Sequence, residues 1–175
     1  MYLLPQTAPP ASPSSLVQLG AGVASVDSFV AAMRAWKGNA AELTAVRDHA
    51  LELVQGAPAQ NEVGEVRRLF EFVRDAVRYV RDVNGVDTLQ TPSATLARLQ
   101  GDCDDKTLLL AALLESVGYA SRFVVSATHP LGPYNHVYLE TWIPRLARWV
   151  ALEPSVRLAP FGRALPSFRP VRRYA

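Results

Sequence analysis

The chain has 175 residues, 49% of them hydrophobic and 19% charged. That suits one globular domain with its own core and excludes general disorder. A single cysteine, Cys103, excludes an internal disulfide framework and a multi-cysteine zinc site. The formal net charge is +2, unevenly spread: residues 156–175 hold Arg157, Arg163, Arg169, Arg172 and Arg173 and no acid, leaving 13 basic and 16 acidic groups elsewhere. No stretch reaches about 18 uncharged apolar residues, so no membrane helix is expected. The start lacks the basic-then-apolar pattern of a secretory signal, which makes the cytoplasm the default location.

In chain order, residues 1–25 are a Pro/Ser-rich leader, expected to be extended and flexible. Asp27 caps a short helix that runs through Trp36 and stops at Gly38. Asn39, with Glu42 three residues on, opens a second helix whose Leu43, Val46, Ala50 and Leu53 share a face. Asn61 opens a third, with Val63, Val66, Phe70, Val73 and Val77 at alternating spacings of three and four. Tyr79 to Asp82 reads as a short extended segment, Asn84-Gly85 as a turn, and Thr91-Pro92 as the start of another short helix. The run from Asp102 to Gly118 is nearly all apolar over Thr107–Leu114, as a helix buried on most sides would be. Arg122 to Ala127 reads as a strand. His136 to Ile143 alternates, with His136, Tyr138, Glu140 and Trp142 on one face. Trp149 to Glu153 is a further short strand. The expected fold is α+β, with N-terminal helices and a buried helix starting at Cys103 packed on a small antiparallel sheet. The domain spans 26–156, and 157–175 form an Arg/Pro-rich tail that Pro160, Pro166 and Pro170 keep from being one helix.

Cys103 sits where a loop becomes a helix, a position whose unpaired N–H groups favour a thiolate. Asp102, Asp104 and Asp105 oppose that charge, although acids also suit a first helical turn. Of three histidines, His49 lies in the second helix as a surface or partly buried group, His129 in a Pro/Gly loop, and His136 at the start of the alternating strand. A histidine within reach of a cysteine can take its proton and later return it to a leaving group, provided a third group fixes the ring. Glu153 is the best third group. Strands 136–143 and 149–153 should pair as a hairpin, and a register in which partner numbers total 289 or 291 puts His136 and Glu153 on one face. Glu140 competes, but lies about 13 Å from His136 along the strand. Spacing alone also leaves room for a buried structural cysteine.

The segment Gly101-Asp-Cys-Asp-Asp-Lys106 with the following leucine-rich run resembles the nucleophile segment of the transglutaminase-like superfamily. Asn135-His-Val-Tyr-Leu-Glu140 resembles its histidine strand. Trp149-Val-Ala-Leu-Glu-Pro154 resembles its third-residue strand, where the family has Asp before Pro. Val77–Asp82 and Leu89–Pro92 are similar to stretches in bacterial and bacteriophage members. The likeness spans about 62–155. It implies a papain-like core with Cys103 as nucleophile, His136 as general acid/base and Glu153 orienting the imidazole, a glutamate in place of the usual aspartate. It also implies an oxyanion site from the Cys103 N–H plus one upstream side chain, for which Tyr79 and Gln100 are candidates.

The leading expectation is a cysteine enzyme that forms a thioester on Cys103 from a peptide or protein amide. Water then gives hydrolysis, and an amine would give transamidation. No cofactor and no metal are expected, since the acids around Cys103 read as helix caps. The alternative is a non-catalytic binding or assembly protein of the same fold. In that case the basic tail would be a contact arm for an acidic partner, weighed against a simply solvated arm. Aromatic residues in the tail are limited to Phe161, Phe168 and Tyr174, which argues against nucleic acid as partner.

Overall fold

The computed structural model describes residues 16–18, 26–58, 61–82 and 88–175. The expected Asn84-Gly85 turn and all of the leader except residues 16–18 lie outside these. Within them the fold is the α+β arrangement expected. A short strand β1 (Leu16–Gln18) is followed by helices α1 (Val26–Lys37), α2 (Ala40–Gln55) and α3 (Glu62–Ala76). Then come β2 (Arg78–Tyr79), β3 (Thr88–Gln90), α4 (Pro92–Arg98), β4 (Gln100–Gly101) and α5 (Cys103–Ser116). The chain ends with β5 (Ser121–Ser126), β6 (His136–Ile143), β7 (Arg148–Leu152) and β8 (Arg172–Tyr174).

The helix starts follow local chemistry. Asn39 accepts from the N–H groups of Ala41 and Glu42, and Asn61 from that of Gly64. Thr91 accepts from Ala94 N–H, with Pro92 in the first turn. Each side-chain cap satisfies donors that an α-helix leaves without partners, worth about 1 kcal/mol apiece. At α5, Asp102 and Asp105 form a reciprocal capping box.

Helix α5 is the central element. Its residues are buried except for the partly buried Cys103 and Glu115, and α1, α2, α3, α4 and the sheet all pack on it. Leu108, Leu109, Leu110, Leu113 and Leu114 have no solvent exposure. Each such leucine contributes about 1.5–3 kcal/mol when removed from water, which is why this helix carries apolar residues all round.

The main sheet has the order β7-β6-β5-β8, antiparallel throughout. Leu139 pairs with Leu152 and Glu140 with Ala151, which is the 291 register. Two smaller ladders flank it: β1 pairs antiparallel with β3, and β2 pairs parallel with β4. The extended segment expected over Tyr79–Asp82 is in fact Arg78–Tyr79, aligned on Gln100–Gly101.

The tail departs from the expectation of a solvated arm. Arg172–Tyr174 forms the edge strand β8 on β5, and Arg173 reaches the buried carboxylate of Glu140 at 3.1 Å. Upstream, the Ala159 carbonyl accepts from Arg74 at 2.8 Å, and Phe161 stacks edge-on against Phe70. A buried acid and an open sheet edge supply partners that a linear reading of five arginines does not show.

Candidate functional site

The site forms where the start of α5 meets the start of β6. Gly101 precedes the helix because a Cβ there would lie 2.5 Å from the Asp105 Cβ. What demands glycine is this close approach of backbone to side chain. Asp105 accepts from the Gln90 N–H at 2.7 Å and the Gln90 amide at 2.6 Å, fixing β3 to the first turn.

The hairpin of β6 and β7 brings His136 and Glu153 together. His136 Nε2 lies 2.6 Å from Glu153 Oε2. Among the described residues, Glu153, 1% exposed, is the acid aligned with the imidazole. Its other oxygen accepts from the Ser155 hydroxyl at 2.5 Å and the Ser155 N–H at 3.3 Å. This explains how glutamate is accommodated here: both oxygens are engaged, one by the ring and one by the turn that follows. Glu140, the competing acid, is turned elsewhere, with Arg122 Nη2 at 2.6 Å and Arg173 on its other side.

Cys103 lies against the next peptide of the same strand. The Val137 backbone N–H hydrogen-bonds to its sulfur, and Thr107 Oγ1 donates to the Val137 carbonyl at 3.3 Å. Val137 is free to do this because β7 stops at Leu152. Continued by two residues, the ladder would set Val137 opposite Pro154, which has no N–H to offer. The first two turns of α5 take the place of the missing strand. With Nε2 on Glu153, Nδ1 is the ring's other hydrogen-bonding atom.

At Cys103, burial and the neighbouring acids outweigh the helix start. Burial pushes its pKa well above the usual value, and the charges of Asp104, Asp102 and Glu153 push it further. The sulfur sits 3.7 Å from Asp104 Oδ1, to which its proton can be donated. Asp104 is itself driven strongly toward the protonated form by burial and by its hydrogen bond with Asp102. Burial likewise raises Asp105 to about 6. Donor atoms of Asp102, Cys103 and Asp104 lie within 4.8 Å of one another, close enough to ligate an ion.

Of the upstream side chains, Gln100 is held by Arg78 Nη2 at 2.9 Å. Tyr79 is 45% exposed. Its phenol is raised by burial and then by the charge of Cys103, which places it within electrostatic range of the sulfur. His129 is exposed in the loop before β6. His49 is buried against Phe72, ring centroids 4.6 Å apart, deeper than a surface reading allows.

Two residues of the site have no motif of their own. Ser155 is legible only as the residue two after the acid. Lys106, 2% exposed, spans from α5 to the end of α3. Its ammonium donates to the carbonyls of Val77 at 2.6 Å and Arg74 at 3.2 Å. Burial lowers it to about 8, while the charges of Asp75 and Glu153 pull it back up. It anchors the chain just before Tyr79.

Comparison with known proteins agrees with this fold. The fold is similar to that of a protein from Cytophaga hutchinsonii provisionally named a cysteine protease, with TM-score 0.53 and 14% identity, covering 71% of this chain and 42% of that one. A provisionally named protease from Parabacteroides distasonis matches with TM-score 0.53 and 13% identity, over 71% of this chain and 26% of its own. The chain thus spans less than half the length of either. No curated protein matches it. The family description "Transglutaminase-like superfamily" matches residues 48–154, from within α2 to the proline after Glu153, and the chain belongs to that superfamily.

Proposed function

We propose that the protein is a cysteine-dependent acyl-transfer enzyme that hydrolyses a peptide or other amide bond through a thioester on Cys103. The observation that carries this reading is the 2.6 Å contact of His136 with the buried Glu153, on the strand whose next N–H bonds the Cys103 sulfur. Because burial holds Cys103 as a thiol, proton transfer accompanies attack. His136 takes the thiol proton as Sγ bonds to the carbonyl carbon. The carbonyl oxygen gains the negative charge, facing the Cys103 N–H, which has no acceptor within the helix, and the Tyr79 hydroxyl. The C–N bond then breaks, the amine departs with the proton from His136, and the thioester remains. Water attacks it, giving its proton to His136, and the carboxylic acid leaves as the thiol is restored. An amine in place of water would give transamidation.

The raised Cys103 pKa favours one second reading, a non-catalytic binding protein of the same fold. Iodoacetamide alkylation of Cys103 separates the two. At pH 7 the intact protein should react at least about tenfold faster than His136→Ala, since a positioned general base contributes about 10²–10⁴-fold. In His136→Ala the rate should keep climbing above pH 9, because the thiol's pKa is raised past the ordinary value of about 8.5. Equal rates in the two proteins, or reaction only after unfolding, would rule out the enzyme. Tyr79→Phe should slow amide turnover while leaving alkylation, which develops no oxyanion, unchanged.

A further inference from the structure

We propose that residues 167–174, outside the segment matched to the superfamily, form a strap that positions His136. The inference rests on the reading of His136 as general base. The loop 127–135 joins β5 to β6 and delivers His136 directly. Its tip is open to solvent, with Leu131 95% exposed, whereas Ala127 at one end is buried and Tyr134 at the other packs partly on the core. Its neck is closed by Asn135, whose Oδ1 accepts from Thr128 N–H at 2.9 Å and whose Nδ2 donates to Thr128 Oγ1 at 2.8 Å.

The strap holds this loop from outside at both ends. At the β5 end, Ala127 N–H donates to Ser167 Oγ at 3.1 Å, and Phe168 N–H donates to the Ala127 carbonyl at 2.9 Å. Both backbone groups of the residue that opens the loop are therefore satisfied by the tail. At the β6 end, Tyr134, two residues before His136, donates its hydroxyl to the Pro170 carbonyl at 2.8 Å. The Arg172 guanidinium lies 4.5 Å from the centre of the same ring. Beyond Pro170 the chain enters β8, where Val125 pairs with Arg172 and Phe123 with Tyr174. Tyr174 Oη is anchored in turn at 2.6 Å from Asp27 Oδ1. Its far end is thus fixed to α1 and its near end grips the loop.

A loop of this length loses considerable entropy on closure. A catalytic ring must nevertheless be held within about 0.5 Å of its working place. Glu153 fixes one ring nitrogen, but the backbone entering His136 is fixed by the neck and the strap.

The test uses the full chain, a truncation lacking residues 166–175, and the double variant Tyr134→Phe/Ser167→Ala. The primary readout is the Cε1–Hε1 resonance of His136 by NMR, which reports ring order whether or not the protein is an enzyme. In the truncation it should broaden or split, and the synthetic 166–175 peptide added in trans should restore it. The double variant should change it in the same direction, to a smaller extent. The His136-dependent part of iodoacetamide alkylation should fall at least about fivefold in the truncation and recover with the peptide, as loss of a general base's alignment requires. An unchanged His136 resonance in both variants overturns the strap. If circular dichroism shows the truncation unfolded, the double variant decides. If alkylation of the full chain never depended on His136, the acyl-transfer reading fails, and the resonance still decides the strap.

Discussion

Glu140 and Glu153 are both buried acids beside the same strand, yet their surroundings give them opposite characters. Glu140 faces Arg122 and Arg173, permanent cations that can neither take nor give a proton at ordinary pH. Glu153 faces an imidazole and a serine hydroxyl, partners whose protons can move. An acid between arginines is a fixed charge that ties three strands together. An acid on a histidine sets that ring's orientation and stabilises the charge it acquires. Burial and residue type are shared, so the partners make the difference.

The comparison breaks most sharply at Glu153. Glu153→Gln should keep the fold and lower amide turnover by about 10²–10⁴-fold, through loss of ring orientation and charge stabilisation. Turnover in a protein of native circular dichroism checks it, and a loss below about threefold would put Glu153 in Glu140's class. Glu140→Gln should do the reverse. It should cost about 1–2 kcal/mol of unfolding free energy, a figure held down because the Arg122 and Arg173 side chains are 23% and 46% exposed. Urea denaturation measures this, with Cys103 alkylation unchanged. Glu153→Asp sharpens the contrast. The shorter acid cannot hold both His136 and Ser155 from the same backbone position, so turnover should fall several-fold and remain well above that of Glu153→Gln.

The smallest effect concerns the buried histidine that has no acid in hydrogen-bond contact. Burial lowers the pKa of His49, opposed by Glu52, whose carboxylate lies 3.7 Å away. The native protein therefore binds that proton less readily than the unfolded chain. Stability from this group is fully present above the ordinary histidine pKa of about 6.5 and declines as pH falls below it. Asp105, raised to about 6, acts in the opposite sense, relieving its burial cost as it protonates. Comparing urea midpoints at pH 7 and pH 5 in the wild type and in His49→Leu isolates the histidine. The wild type should lose more than the variant.

Much of the fold is legible in local chemistry. The caps Asn39, Asn61 and Thr91 act within a few residues of themselves, so composition alone locates those helix starts. The alternation of His136–Ile143 and a short connection narrow the register to totals of 289 or 291, and the observed 291 places Glu153 beside His136. What stays hidden depends on distant partners. β8 is three residues long, too short to show alternation, and its reason for existing lies on β5 and at Glu140. β4 exists only because β2 runs beside it. Lys106 reads as a charged residue in an apolar run until the open carbonyls at the end of α3 are seen. The chemical state of Cys103 is hidden too, because the helix-start argument counts dipoles and misses burial beneath two aspartates.

The peptide that follows His136 has a mechanical consequence. Its N–H holds the sulfur of Cys103, and the carbonyl of the same residue, Val137, holds Thr107 one turn along α5. The Cys103 sulfur and the His136 ring are thus registered to one short stretch of backbone, not across a gap between two bodies. Breathing of the sheet against the helix layer carries both together, so their separation should be among the least variable distances in the molecule even where the surrounding loops fluctuate widely.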